Sequence, residues 1–60
     1  MQSFRILYFR QNVIEHSEEL ELRDVLEAID QAARKPSDMH AEIWSSAGRV
    51  GVVPPAPSAA

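Results

Sequence analysis

Apolar and polar residues alternate along the opening segment of the chain in the manner of β-strands. Stretch 4–10 is dense in aromatic and branched residues, and stretch 13–22 alternates apolar with polar positions at a period of two. Between them Gln11 and Asn12 interrupt the pattern, and asparagine tolerates the left-handed backbone that a tight turn needs. The pattern predicts an antiparallel β-hairpin.

After Leu22 the hydrophobic period becomes that of a helix. Asp24 is placed to cap the first backbone amides, Glu27 completes a capping box, and Pro36 ends the helix because the residue before a proline leaves helical geometry. We therefore predict a helix over 24–34. The predicted buried stripe is Leu22, Val25, Leu26, Ile29 and Ala33, and the predicted outer side is Glu27, Ala28, Asp30, Gln31 and Arg34.

Two further apolar stretches, 40–44 and 49–53, predict a second hairpin. They flank the small, polar turn Ser45-Ser46-Ala47-Gly48, in which Gly48 suits a positive φ. Residues 54–60 include three prolines and show no periodic pattern of apolar residues that could be buried, so we predict a disordered tail. The chain is thus expected to form one domain over 1–53, with strands over 4–10, 13–22, 40–44 and 49–53.

The element order ββαββ defines an α+β fold. A right-handed crossover from the second strand over the first places the third strand beside the first. The expected architecture is a four-stranded antiparallel sheet in the order 2-1-3-4, with the helix packed on one face. The first and third strands are then central.

The first strand is apolar on both sides, so the register of the hairpin decides which side the helix covers. A two-residue loop pairs Arg10 with Val13 and places Leu7 and Phe9 under the helix. A bulge or a three-residue loop reverses the assignment and leaves Leu7 and Phe9 outside. In the first register the uncovered residues are Phe4, Ile6 and Tyr8, together with Trp44 of the third strand.

An apolar patch is uncovered in either register, and this predicts a partner surface. Burying each large side chain contributes roughly 1.5–3 kcal/mol, and a twofold dimer needs only one self-complementary patch. We therefore predict a non-catalytic interaction or assembly module, a homodimer through the side of the sheet away from the helix. The predicted interface residues are Phe4, Ile6, Tyr8 and Trp44, and a protein partner is the further expectation.

Composition bears on the chemistry available to the chain. Its 60 residues include no cysteine and two histidines, so disulfides and thiolate metal sites are excluded. His16 with Glu18, like His40 with Glu42, supplies two potential ligands where a metal site needs three or four. No serine lies in a nucleophile-elbow motif, and so short a chain offers little room for an enclosed pocket. No catalytic, cofactor-binding or metal site is predicted, and the protein is not expected to be an enzyme.

Charge is unevenly distributed along the chain. The net charge is −3, and residues 15–30 hold seven acids against Arg23. Such an acidic block disfavours binding to the phosphate backbone of nucleic acids. It also suggests an alternative function, that of a small acidic regulator or antitoxin-like inhibitor that docks to a basic protein. The docking face would consist of Glu15, Glu19, Glu21, Glu27 and Asp30.

Single-stranded RNA or DNA binding is the remaining alternative. Proteins that bind single strands stack the bases on aromatic side chains of a sheet and hold the backbone with nearby arginines, and this chain has both residue types on its predicted strands. The sequence lacks the glycine- and aromatic-rich signature of RNA-recognition strands, and the acidic block repels phosphate, so nucleic acid is not the first expectation. The residues concerned are Tyr8, Phe9 and Trp44 with Arg5, Arg10 and Arg49.

No apolar run approaches the roughly 20 residues that span a bilayer, and the first ten residues lack a signal-peptide pattern, so no membrane association and a cytoplasmic location are expected.

The chain also resembles a group of small bacterial proteins with no established activity. The shared features are the aromatic first strand Arg5-Ile6-Leu7-Tyr8-Phe9, the acidic Glu18-Glu19-Leu20-Glu21, the helix Asp24 to Ala32, Glu42-Ile43-Trp44 and Arg49-Val50. The resemblance implies a ββαββ fold in a bacterial cytoplasm.

Overall fold

A computed structural model describes residues 1–56 and confirms the α+β fold. Its antiparallel sheet has the predicted order β2-β1-β3-β4, and the helix lies on one face. The elements are β1 Gln2–Arg10, β2 Val13–Leu22, α1 Val25–Ala32, β3 His40–Ser45 and β4 Gly48–Val53.

The predicted tail is described only at its start. The amide of Ala56 donates a 2.8 Å hydrogen bond to the carbonyl oxygen of Ser37, and the Lys35 ammonium contacts the carbonyl oxygen of Pro54 at 3.1 Å. The prediction of disorder for residues 57–60 falls outside the described residues. None of the helical structure described in the chain is long and apolar enough to cross a membrane.

The first hairpin turns on the two residues that the sequence predicts. Gln11 and Asn12 have φ values of 52° and 65°, and Arg10 pairs with Val13. Two consecutive positive φ angles give the turn the twist of the strands it joins. Asn12 adopts this region readily, whereas Gln11 does so at a steric cost. In the second hairpin Gly48 has a φ of 117°, as the sequence predicts.

The strained turn yields a stability prediction. Replacing Gln11 and Asn12 together by Asn-Gly should raise the free energy of unfolding by about 0.5–1 kcal/mol, because both residues then favour positive φ. For a domain of this size the expected rise in Tm is about 4 °C. Thermal unfolding followed by circular dichroism measures it. The single change Gln11→Val should lower Tm, and a higher Tm for Gln11→Val would contradict the assigned turn.

A β-bulge in the first hairpin sets which face of β1 the helix covers. Tyr8 pairs with His16 and Phe9 pairs with Ile14, so Glu15 is left without a partner on β1. Successive side chains of a strand point to opposite faces of the sheet. The extra residue therefore moves each β2 side chain after Glu15 to the face opposite the one it would occupy in a hairpin without the bulge. The two-residue loop is therefore confirmed, but the register derived from it is wrong beyond the bulge, and the alternative register applies.

The predicted outward positions of β1 form the core instead. The exposed fractions of Phe4, Ile6 and Tyr8 are 3%, 0% and 8%, so they lie beneath the helix and not on the uncovered side. Ile6 pairs with Ile43 on β3, which is also fully buried. Of the four predicted interface residues, the structure thus places three in the hydrophobic core, which also contains Ala28, Ala32, Met39 and Ala41.

The helix begins at the predicted cap. The Asp24 side chain accepts a 3.1 Å hydrogen bond from the Glu27 amide, and the Glu27 carboxylate accepts one from the amide of Arg23 at 2.9 Å. The first bond satisfies an amide that the helix itself leaves free, and the second engages the residue before the cap, where the predicted capping box would engage the amide of Asp24. The helix ends at Ala32, two residues before the predicted end at position 34, with Ala33 as its C-cap.

The buried stripe of the helix is rotated by roughly a quarter of a turn from the prediction. Ala28 and Ala32 are fully buried, whereas Leu26 is 70% exposed. Ala28 was expected on the outer side, and that expectation is wrong. The sheet presents large side chains to the helix here, so small residues allow the helix to approach it closely.

Candidate functional site

The side of the sheet away from the helix carries most of the exposed apolar surface of the strands. We call this side the open face; its apolar side chains are Leu7, Phe9, Ile14, Trp44 and Val52. Ile14, Trp44 and Val52 are 53%, 38% and 51% exposed, and Leu7 and Phe9 are half-buried. A groove of about 640 Å³ lies on this face, and its lining includes Leu7, Ile14 and Trp44.

The residues of the open face form cross-strand rows. In the order β2, β1, β3, β4, the first row is Glu19, Arg5, Trp44 and Arg49, and the second is Ser17, Leu7, Glu42 and Val52. The third row, nearest the first turn, is Ile14, Phe9 and His40. Each of the four strands therefore contributes at least one apolar side chain to the open face, and Arg5 and Glu42 lie among them on the two central strands.

Charged side chains on the open face are paired within the chain. The Arg5 guanidinium bonds the Glu19 carboxylate across the β1–β2 ladder. The half-buried Glu42 accepts a 3.2 Å hydrogen bond from the Trp44 indole Nε1, and its other oxygen lies 3.7 Å from Arg49 Nη1. These contacts hold the indole ring between two arginines whose charges are balanced by two carboxylates.

The Phe9 and His40 rings stack on the same face. Their centroids are 4.6 Å apart and their planes differ by 3°. The two residues are cross-strand partners on β1 and β3, so the stack covers the end of the sheet nearest the first turn. Each ring uses one of its faces for this contact.

Trp44 is the predicted interface residue that the structure places on the open face. Leu7 and Phe9 are outward as in the alternative register, while Ile14 and Val52 were missed. The sequence did hold a signal for the correct side. Arg5 lies within β1 on the Leu7 and Phe9 side, whereas the only charge on the Phe4, Ile6 and Tyr8 side is Arg10 at the end of the strand, so the latter side is the better candidate for the core.

The aromatic residues of the nucleic-acid alternative do not share one face. Tyr8 is buried under the helix, and Phe9 stacks on His40. Trp44 remains between Arg5 and Arg49, as a stacking platform requires, but both arginines contact carboxylates. Such a platform has no excess positive charge to attract phosphate.

The five acids of the predicted docking face are also divided between the two layers. Glu19 and Glu21 point to the open face of β2, whereas Glu27 and Asp30 lie on the helix. Glu15 is the bulged residue and bonds Arg10 Nε at 3.0 Å. Glu19 and Asp30 are also paired, with Arg5 and Arg34 respectively. The sequence block therefore does not fold into one continuous acidic face.

A second cluster lies on the helix side of the sheet. The Tyr8 hydroxyl donates a 2.9 Å hydrogen bond to Glu18 Oε1, and Glu18 Oε2 lies 4.0 Å from His16 Nε2. Burial, followed by the hydrogen bond to Glu18 and its negative charge, raises the pKa of Tyr8 to about 12. Residues 1–56 bring no group of three or more histidine, aspartate or glutamate side chains together for a metal ion.

The Tyr8 environment predicts a specific alkaline titration. The chain has one tyrosine, so absorbance of the phenolate reports Tyr8 alone. Its midpoint should lie near pH 12 in the folded protein and near 10 in urea. The raised pKa means that Tyr8 contributes stability below pH 10, and this contribution is lost as the pH rises towards 12.

A variant separates the causes of this shift. Glu18→Gln removes the carboxylate charge and keeps the burial of Tyr8, so the midpoint should fall between the folded and unfolded values. Tyr8→Phe should abolish the titration and the associated loss of stability. A folded-state midpoint equal to that in urea would contradict the buried hydrogen bond.

The chain was compared with known proteins at three levels. No family model matches it, and the searches of curated proteins and of solved structures each found no similar protein. Function is therefore inferred from the residues of the open face and of the helix-side cluster.

Proposed function

We propose that this protein is a self-association module, a homodimer whose open faces pack against each other. The observation that carries the proposal is the extent of apolar surface on that face, where Leu7 and Phe9 are half-buried and Ile14, Trp44 and Val52 are exposed. Exposed apolar surface of this extent on a small domain is characteristic of interaction sites. The resulting dimer has four layers, with the helices outside and two sheets in contact.

The size of the open face suits a second copy of the chain. The molecule measures 39 × 20 × 15 Å, so its broadest outline covers about 780 Å². Each partner of a specific interface of standard size buries about 800 Å². Only contact across nearly the whole face reaches that area, and each of the four strands contributes an apolar side chain to this face.

The edges of the sheet are less suited to association than the face. The β2 edge carries acidic residues at closely spaced positions, and charge on an edge strand discourages strand pairing. The β4 edge is six residues long, contains a bulge, carries Arg49 and is followed by Pro54. Short length, bulges, charge and proline are the usual protections of an edge. These features favour contact through the face.

Charge on the open face also favours a second copy. A twofold axis parallel to the strands, between β1 and β3, places β2 of one protomer opposite β4 of the other. In the first row, Glu19 then faces Arg49 of the second copy and Arg5 faces its Trp44 ring. Ion-pair and cation–π contacts follow from this arrangement. Aligned packing of two sheets is a common geometry of β-sandwiches.

Sedimentation equilibrium tests the proposal directly. At about 10 µM the protein should have the mass of two chains, and added salt should weaken the dimer because charged pairs contribute to it. A single-chain mass at about 100 µM would contradict the proposal. Addition of single-stranded oligonucleotides at low salt should leave the mass unchanged; a salt-dependent increase in mass would support the nucleic-acid alternative instead.

A further inference from the structure

A cleft of about 250 Å³ lies between the C-terminal end of α1 and the β1–β2 hairpin. It is on the helix side of the sheet, so it remains accessible when the open face is covered. Met39 and Pro36 contribute apolar surface, and the Tyr8 and Glu18 pair lies on the strand side. Clefts that combine apolar surface with a few convergent polar groups are the usual sites of small ligands.

One side of the cleft offers a hydrogen-bond acceptor. Glu18 Oε1 is engaged by the Tyr8 hydroxyl, whereas Oε2 lies 4.0 Å from His16 Nε2, beyond hydrogen-bond distance. Glu18 lines the cleft, and its side chain is 30% exposed. An ionised carboxylate accepts hydrogen bonds from a hydroxyl or an amine of a ligand.

The helix side of the cleft carries positive charge. The Lys35 ammonium contacts the neutral carbonyl oxygen of Pro54, and no carboxylate of residues 1–56 forms an ion pair with it. Arg34 lines the same side, and its guanidinium is 3.6 Å from Asp30 and largely exposed. Within residues 1–56, Lys35 therefore offers a positive charge without an ion-pair partner, and Arg34, whose charge is balanced by Asp30, adds exposed N–H donors.

We propose that this cleft binds a small organic carboxylate that carries a hydrogen-bond donor at its other end. The ligand carboxylate contacts Lys35 and Arg34, the donor bonds Glu18 Oε2, and the apolar body lies on Met39 and Pro36. A charged hydrogen bond at each end fixes the orientation of the ligand. The site does not depend on dimerisation, because none of the residues used belongs to the open face.

The experiment uses 4-hydroxybenzoate as the probe in a titration followed by amide chemical shifts of the full chain. The expected result is saturable shifts around Lys35, Met39 and His16, with a Kd of about 1 mM. Benzoate lacks the hydrogen-bond donor, and 4-hydroxybenzamide lacks the negative charge. The Kd of each should therefore be at least about fivefold higher than that of 4-hydroxybenzoate. Absence of saturation up to about 20 mM would overturn the proposal, and so would shifts confined to the open face.

A matched pair of charge variants identifies the site. Lys35→Gln should weaken binding about fivefold, because the ammonium contacts the ligand carboxylate. Arg23→Gln removes the same charge just before the other end of the helix and should leave Kd unchanged. Equal losses in the two variants would show general electrostatic attraction and overturn the assignment. Glu18→Gln should weaken 4-hydroxybenzoate more than benzoate, and an equal effect on both would overturn the role of Glu18.

Discussion

Leu7→Glu is expected to dissociate the homodimer while leaving the protomer folded. Leu7 lies near the centre of the open face, beside Glu42 on the neighbouring strand. In the dimer the new carboxylate would be desolvated next to Glu42 of its own chain and near the same residue of the second copy. Leaving a charge buried without a partner costs about 3 kcal/mol or more, so Kd should rise at least about a hundredfold.

The protomer should tolerate this change because position 7 faces away from the helix. Two like charges on neighbouring strands cost the isolated chain only about 0.2–1 kcal/mol. Circular dichroism should therefore show retained structure, and sedimentation equilibrium should show a single-chain mass. Leu26→Glu is the matched control, since Leu26 is 70% exposed on the helix and should keep the dimer intact. A Leu7→Glu dimer of wild-type affinity would contradict the open-face interface.

Ile6→Ala is expected to remove most of the stability of the fold. Ile6 and its cross-strand partner Ile43 are both fully buried between the sheet and the helix. Truncating a buried isoleucine costs about 2–5 kcal/mol, through lost burial and the cavity left behind. A 60-residue domain has a free energy of unfolding of only about 3–9 kcal/mol. Urea unfolding measures the loss as a lower midpoint with an unchanged slope.

The control for this prediction is Leu26→Ala, which removes an exposed side chain from the helix. Its effect on the free energy of unfolding should stay within about 0.5 kcal/mol, because the site is solvated. Ile6→Ala combined with Ile43→Ala should be non-additive, since the two side chains share one cavity. A loss below about 1 kcal/mol for Ile6→Ala would contradict the placement of this residue in the core.

Local signals in the sequence predicted most of the fold. The turn at Gln11 and Asn12, the cap at Asp24 and the glycine at position 48 each act through their immediate neighbours, and all three are confirmed. The sheet order followed from the handedness of the crossover, and it is also confirmed. These features depend on backbone chemistry that a few adjacent residues determine.

The predicted faces were less accurate because they depend on contacts between elements. Glu15 looks like any other polar position of an alternating strand, so nothing in its neighbourhood indicates a bulge. The helix was assigned by its largest apolar side chains, yet Ala28 and Ala32 pack on the sheet because its own side chains are large. In both cases tertiary packing outweighed the local pattern.

The bulge at Glu15 has a consequence for how the chain reaches its native state. If the hairpin formed from the turn without the bulge, Tyr8 would pair with Glu15, and the pairing beyond it would be shifted by one residue. In this out-of-step hairpin Leu7, and not Ile6, would lie on the same face as Leu20 and Leu22. Both hairpins bury apolar residues, so the out-of-step hairpin is a kinetic competitor of the native one. Passing between them requires every pair beyond position 15 to break, so the two hairpins do not interconvert by a local slip of one or two residues.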